Sequence, residues 1–398
     1  MIPVEDAVRR IAAAFAPLGS EAIALDQAAC RVLGEDVAAR ADQPPADVSA
    51  MDGYAVRAAD VASVPARLAV VGEAPAGRPF EGKIGAGEAV RIFTGAVVPK
   101  GADTIVIQEN TTAGPGHVMV TNAERPGRHI RRAGLDFKTG DIRLRKGRRL
   151  TARDVALLAA MDVPAVKVVR KPRIAVASTG DELSRPGEKR APGGIVASTA
   201  YGIAAMAARW GGETIDLGIL PDRVEAFAKL PEAARRADLV ITLGGASVGD
   251  HDLVQKALTP LGFALDFWKI AMRPGKPLIF GRLNETPFLG LPGNPVSALV
   301  CAILFLRPAI AAMLGEAYAP RTTRMRLAGR LPANDTRRDY IRARIVAKDG
   351  ALWAEPFGIQ DSSMLSALAA ADALIARAPH APAASDGDAI DALLFDDI

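Results

Sequence analysis

The sequence predicts a multidomain chain of α/β and β units. A doubly wound α/β domain is expected over 171–319, an inserted β-rich domain over 41–139, a discontinuous domain from 1–40 and 140–170, and a small β domain over 320–398. Three observations predict this. The 398 residues exceed what one hydrophobic core organises. From about 172, short apolar runs alternate with helical stretches, the pattern of a parallel sheet covered by helices. On either side, short runs punctuated by Gly and Pro, or alternating apolar and charged residues, read as half-exposed strands.

The first 40 residues read as a helix followed by extended chain. Val4, Val8 and Ile11 share one helical face, and Glu5 and Asp6 fall early in it. This is an amphipathic helix rather than a secretory leader. Pro44 and Pro45 break any helix in 41–56. RLAVVGEAPAG, EAVRIFTGAVVP and GADTIVIQEN then read as strands and turns. The basic run 143–149 reads as a solvated edge. Thr151, with Asp154 three residues on, makes a loose capping box for a helix ending near Met161. That helix is expected to pack beside the N-terminal one, and VPAVKVV follows as a strand.

In the α/β region PRIAVAS, ETIDLGIL, DLVITL, PLIFG and TPFLGL read as strands. Helices are expected at 199–210, 222–237, 252–261 and 294–314, the last broken at Pro308. After 320, TRMRLAG and DYIRARIV alternate in strand fashion, and the Asp-Gly pair at 349–350 marks a hairpin.

Composition excludes several classes. A net charge of +4 is too mild for a general nucleic-acid binder. Cys30 and Cys301 lie far apart and read as small buried hydrophobes, not a disulfide framework. None of the four histidines sits in an HExxH pattern, which argues against a zinc enzyme. The longest apolar run, 296–306, is too short to cross a bilayer. A cytoplasmic protein without membrane or nucleic-acid partners is expected.

The chemistry concentrates in loops. GRPFEGKI has P-loop spacing until Ile84 stands where Ser or Thr must hold magnesium, and strand-like sequence follows where a helix is needed. No GxGxxG occurs. STGDEL, GGASVGDHD and LPGNP each follow a strand, so they should converge at the carboxyl edge of the sheet. In the second, Gly244, Gly245 and Gly249 permit close backbone approach and Ser247 can donate to a phosphate. Asp250 and Asp252 suit a magnesium ion bridging to phosphate oxygens, although Asp252 alone also reads as a helix N-cap. Asp181, Glu182 and Asp222 add carboxylates or caps near that edge. WKIAMRPGKP packs Lys269, Arg273 and Lys276 around a Pro-Gly turn, a cluster suited to phosphate or another oxyanion. Asn294 reads as an N-cap, with Ser297 in the first turn behind it. Asp52-Gly53 alone reads as a turn, but its Ser, Met and Tyr neighbours are not needed for one.

Taken in order, SAMDGYA, RIFTGA, STGDEL, GGASVGDHD, AMRPGKP and LPGNPVS resemble the molybdopterin molybdenumtransferase family, which includes the E domain of gephyrin. RRAGLDFKTGD and PFGIQDSSMLSALAAADALI share the resemblance, which covers most of the chain. It implies an elongated discontinuous domain, an inserted β domain, a molybdopterin-binding α/β domain and a C-terminal β barrel. It implies a homodimer whose cleft is closed by the other subunit's inserted domain. The implied reaction joins molybdate to adenylylated molybdopterin with Mg2+ as helper, releases AMP and forms the molybdenum cofactor. Implied partners are a molybdopterin adenylyltransferase and molybdoenzyme acceptors. Asp52, Thr94, Asp136, Glu182, Asp222 and Asp252, with Lys269, Arg273 and Lys276, match the family's functional positions. Arg131, Pro292 and Pro295 match substrate-binding ones. The metal would fall to Asp52, Glu182, Asp250 and Asp252. Molybdate would lie near Arg273 or Lys276, Ser297, Arg338, and Ser362 or Ser363. Two other readings are a molybdopterin adenylyltransferase acting one step earlier and a non-catalytic scaffold like gephyrin.

Overall fold

The structure, a computed structural model, describes residues 1–245, 251–348 and 350–395, with the backbone alone at 251–253. Its centre is a six-stranded sheet. The strand order is Glu213–Leu220, Arg173–Thr179, Leu239–Leu243, Thr286–Leu291, Ile279–Leu283 and Phe263–Trp268. The first four run parallel. Residues alternate across Arg173–Thr179 as the pleat requires. Ile174 and Val176 enter a core with Ile203, Ala207 and the helix 295–314, while Ala175 and Ala177 face Phe227, Leu230, Val254 and Leu258. The sheet is thus covered on both faces.

The sheet is mixed rather than purely parallel. Ile279–Leu283 runs antiparallel to both of its neighbours. Leu283 pairs with Thr286 across a two-residue turn, and Asn284 adopts φ 52° there, a left-handed geometry that asparagine tolerates. A short apolar run carries no mark of its direction.

The helix Pro295–Leu314 is long and apolar enough to span a membrane, but 94% of its apolar window is buried in the core. It does not break at Pro308. A π-helical turn at Ala302–Leu306 comes first, and its wider hydrogen-bond pattern relieves the missing Pro308 N–H.

The N-terminal helix Val4–Ala13 packs differently from expectation. Val4, Ala7 and Ile11 enter the core of Ile310 and Met313, in the α/β unit. The helix Ala152–Ala160 instead joins Leu33, Val37, Phe137, Leu144 and Val168. The capping box is present: Asp154 N–H donates to Thr151 Oγ1 and Thr151 N–H to Asp154 Oδ2. Antiparallel pairs link Ser20–Ala24 with Ala165–Val169 and Val37–Ala38 with Ile142–Leu144. The intervening chain holds a second six-stranded sheet, ordered Thr104–Ile107, Gly53–Val56, Glu88–Ile92, Ala66–Ala74, His117–Val120 and Thr111–Gly114.

At the C-terminal side, Arg338–Lys348, Ala351–Pro356, Thr322–Leu327, Ala389–Leu394 and Ala373–Arg377 pair in a ring, and the last pairs back to the first, closing a barrel. Lys348 pairs with Ala351, and Gly350 takes φ 71°; Asp349 of the expected hairpin lies outside the described residues.

Two seams cross the basic loop of the α/β unit. Ile2 bridges Ile270, and Met272 and Arg273 pair in parallel with Arg338 and Asp339 of the barrel. A buried ionic clasp adds a third tie. Glu316 accepts from Arg149 Nε and Nη2, each at 2.8 Å, and from Arg307 Nη1 at 3.1 Å. Arg149 also donates to the carbonyls of Cys30 and Trp210. The run 143–149 is therefore not simply a solvated edge; its last residue is an internal fastener.

Candidate functional site

Three neighbouring parallel strands end at Thr179, Leu243 and Leu291, and a crevice of about 360 Å³ opens at these ends. This is where an α/β sheet of this topology takes its ligand. The ends are stitched together: Thr179 Oγ1 donates to Leu243 O at 3.3 Å, and Gly244 N–H to Leu291 O at 3.1 Å. Gly244 has φ 99°, and a Cβ there would stand 2.7 Å from Thr179 Oγ1. Only glycine lets this loop lie so low.

Glu182 lines the crevice, together with Pro292, Pro295 and the buried Ser297. Its carboxylate sits against Gly180, where a Cβ would meet both carboxylate oxygens at 2.7 Å. Asp181 does not cap its own following segment; its Oδ1 accepts from the Asp222 amide at 3.2 Å, joining two strand-end loops. Asn294 occupies the N-cap position without a capping bond. It donates instead from Nδ2 to Ser362 Oγ at 2.8 Å, and Val296 N–H donates to Ser362 O. This brings the barrel loop carrying Ser362 to the crevice mouth. Ser363 Oγ donates to Asp361 at 2.6 Å. Sequence reasoning missed Thr179, Ser198 and Thr199, which also line the crevice; a polar residue at a strand end or before a helix was the available signal.

The basic cluster is not a free patch. Arg273 forks onto Asp339, with Nε to Oδ1 at 2.9 Å and Nη2 to Oδ2, and the hydrogen bond and charge of Asp339 raise its pKa further. Arg338 meets Glu5 at 2.7 Å. Lys269 adopts φ 67° and lays Nζ 3.4 Å from the centroid of the Trp268 ring. Lys276 accepts at its carbonyl from Ile270 N–H and precedes Pro277, which lines the crevice.

Asp52 and Thr94 meet one another in the inserted sheet. Thr94 N–H and Oγ1 donate to Asp52 Oδ1 at 2.7 and 2.8 Å. These bonds, the backbone one foremost, hold the Asp52 carboxyl below its usual pKa, and Arg91 adds to the effect. Arg131 pairs with Val48 by its backbone, and Asp136 is exposed. None of these four residues lines the crevice. Ser247, Gly249 and Asp250 lie outside the described residues. The backbone of Asp252 falls inside the helix His251–Leu258, past the cap position, and Gly245 takes φ 66° before it. Among the described residues no group of three or more His, Cys, Asp or Glu side chains could hold a metal ion.

Comparison with known proteins matches the chain along its length. Residues 2–161 match the model of the MoeA N-terminal region (domain I and II), 175–312 the probable molybdopterin binding domain, and 324–395 the MoeA C-terminal region (domain IV). The molybdopterin molybdenumtransferase of Haemophilus influenzae is 41% identical over 302 residues, covering 75% of this chain and 74% of that protein. That of Bacillus subtilis is 35% identical over 384 residues, covering 94% and 89%. The crystal structure of the molybdopterin biosynthesis MoeA protein from Pyrococcus horikoshii superposes with a TM-score of 0.87 at 29% identity, covering 99% of this chain and all of that one. Matched from its first helix to its closed barrel, the chain belongs to the MoeA family of molybdopterin molybdenumtransferases, enzymes of molybdenum-cofactor biosynthesis.

Proposed function

We propose that the crevice takes adenylylated molybdopterin and molybdate, that AMP is released there, and that the molybdenum cofactor forms. The observation that carries this reading is the convergence of Glu182, the Gly244 turn, Ser297 and Ser362 at the carboxyl ends of three parallel strands, with Lys276 beside them. The backbone at Gly244 and Gly245 leaves room for phosphate, and the start of the helix behind Asn294 favours an anion. Ser247, Gly249, Pro292 and Pro295 complete the substrate wall in this reading. Lys269 and Lys276 neutralise the negative charge that builds as an oxygen of molybdate or water adds to the AMP phosphorus and the bond to its bridging oxygen breaks, so that AMP leaves with the new oxygen and the pterin side keeps its own phosphate. Ser297, Ser362 and Ser363 donate to molybdate, together with whichever of Arg273 and Arg338 exchanges its carboxylate for the oxyanion.

Magnesium suits the donor set, since it is commonly held by one or two carboxylates plus substrate phosphates and water. Glu182 is the carboxylate that lines the crevice among the described residues, and Asp250 and Asp252 would join it. When bound, the ion would neutralise phosphate charge. Asp222 stays near through the Asp181 bridge. Asp52, Thr94, Arg131 and Asp136 face a different part of the surface, and we assign them to the crevice of the other subunit in a homodimer. The cytoplasm, a molybdopterin adenylyltransferase as supplier, molybdoenzymes as acceptors and the four-part division of the chain belong to the same reading.

The test is incubation of the purified protein with adenylylated molybdopterin, molybdate and magnesium. AMP release with formation of active cofactor is expected, and its absence sinks the proposal. Formation of the adenylylated intermediate from ATP would place the protein one step earlier.

A further inference from the structure

The core helix 295–314 and the barrel meet over a small cavity. Trp210, Ile303 and Arg307 line it from the α/β unit and Leu393 from the barrel strand Ala389–Leu394, with Tyr318 and Arg321 of the connecting segment beside them. Its volume is about 20 Å³, room for one species of the size of a water molecule. A tetrahedral oxyanion such as phosphate or molybdate exceeds it.

Arg307 points to an occupant. The residue is only 8% exposed. Its Nη1 donates to Glu316 at 3.1 Å, and its guanidinium carbon stands 4.5 Å from the centroid of the Tyr318 ring. The ring covers a face of the guanidinium and takes up none of its in-plane N–H groups. Its Nε is shielded from solvent and has no acceptor among the described residues. A guanidinium does not give up its proton, so the buried donor stays costly until an acceptor reaches it. The clasp also carries a charge imbalance. Glu316 is shared between Arg149 and Arg307, at 2.8 and 3.1 Å, so these two cations face one carboxylate. A water molecule would accept the Nε–H and leave the surplus positive charge uncompensated. A small monovalent anion meets both needs.

We propose that this cavity holds a chloride ion, which accepts from Arg307 Nε and is drawn by the surplus charge of the Arg149–Glu316–Arg307 clasp. The ion sits between the core helix and the barrel strand, and so helps to hold the barrel against the α/β unit. The site stands apart from the crevice, and turnover is not needed to test it.

Two measurements on the full chain decide. Crystals grown with sodium chloride are examined at long wavelength, where chlorine scatters anomalously and oxygen does not. A chlorine signal is expected at hydrogen-bonding distance from Arg307 Nε. Thermal unfolding is then compared in sodium chloride and sodium gluconate at equal ionic strength. Arg307→Lys keeps the charge and removes the Nε donor, whereas Ile303→Phe fills the cavity and leaves the clasp in place. The comparison of salts is made within each protein, so a general loss of stability cancels. The midpoint in chloride relative to gluconate is expected to be about 2 °C higher in the wild type than in either variant. A site without anomalous signal, empty or filled by water, overturns the proposal. So does a chloride-to-gluconate difference that survives in either variant, which places the ion elsewhere.

Discussion

The side-chain amide of Asn294 donates to the hydroxyl of Ser362 at 2.8 Å, across 68 residues of sequence, and so ties the start of the core helix to a loop of the barrel. Asn294→Ala removes this tie and leaves Ser362 without its donor. The expected stability loss is about 1 kcal/mol, the usual net worth of such a bond. If Ser362 holds molybdate, the molybdate concentration for half-maximal AMP release should rise more than the KM for the pterin substrate. Thermal unfolding and the two titrations check this, and equal shifts in both constants would count against a molybdate role.

Thr94 donates twice to Asp52 and keeps its carboxyl below the ordinary aspartate value of about 3.9. A depressed carboxyl is ionised above its folded pKa and protonates as pH falls through it. Thr94→Val removes one of the two donors, so the pKa should rise and the acidic limb of the AMP-release profile should move to higher pH. A profile that stays in place would exclude Asp52 as the group behind that limb.

Glu316 has a side chain only 12% exposed, held between Arg149 and Arg307. Burial alone would raise its carboxyl, but the hydrogen bonds and charge of the two arginines hold it below the usual range. The resulting stability is present above the unfolded value of about 4.3 and is lost as pH falls through the lower folded value. Glu316→Ala leaves the buried Arg307 and the partly buried Arg149 guanidinium groups without their anion and should cost about 3 kcal/mol. Urea unfolding at neutral pH measures this; a loss below about 1 kcal/mol would mean the clasp behaves as a surface pair.

Gly244→Ala should both destabilise the protein and impair turnover. The new Cβ would sit at φ 99° and 2.7 Å from Thr179 Oγ1, so either the loop or Thr179 must move. A penalty above about 1 kcal/mol is expected where alanine cannot adopt the native backbone. Unchanged unfolding together with unchanged AMP release would contradict the geometry of the crevice floor.

Glu5 meets Arg338 at 2.7 Å with both side chains partly exposed. An oxyanion approaching Arg338 competes with this pair. Glu5→Gln should lower the molybdate concentration needed for half-maximal rate by about two- to fivefold, the range such a pair supports. An unchanged or higher requirement would make Glu5 a positioning residue for Arg338 instead of a competitor.

Much of the α/β unit was legible because its signals are local. The run ETIDLGIL is the strand Glu213–Leu220, and Thr151 with Asp154 forms the reciprocal box that its spacing announces. What escaped was relational. Ile279–Leu283 reads as a buried strand in either direction, and the turn at Asn284 alone decides between them. Arg149 stands in a run of solvated-looking bases, and only the fold carries Glu316 to it. Asn294 stands at a helix start, where capping is the local expectation, but Ser362 takes its donor. The site divides in the same way. Strand-end loops identify Glu182, Pro292 and Ser297, whereas Ser362 reaches them only when the barrel packs against the start of the core helix.

The seams of Ile2 with Ile270 and of Met272 with Arg338 also bear on how the site is made. The loop between them contributes Lys269, Arg273 and Lys276. Its first seam joins residues far apart in sequence, and its second waits for the barrel. Contacts so distant in sequence form late, because closing the chain must precede their reward. A ribosome-bound chain that has reached residue 330 already contains the basic loop, the crevice strands and the core helix, but lacks the strand that aligns the loop. Its three basic side chains therefore acquire their final placement only once the barrel strand Arg338–Lys348 has been made, after the turn at Gly244.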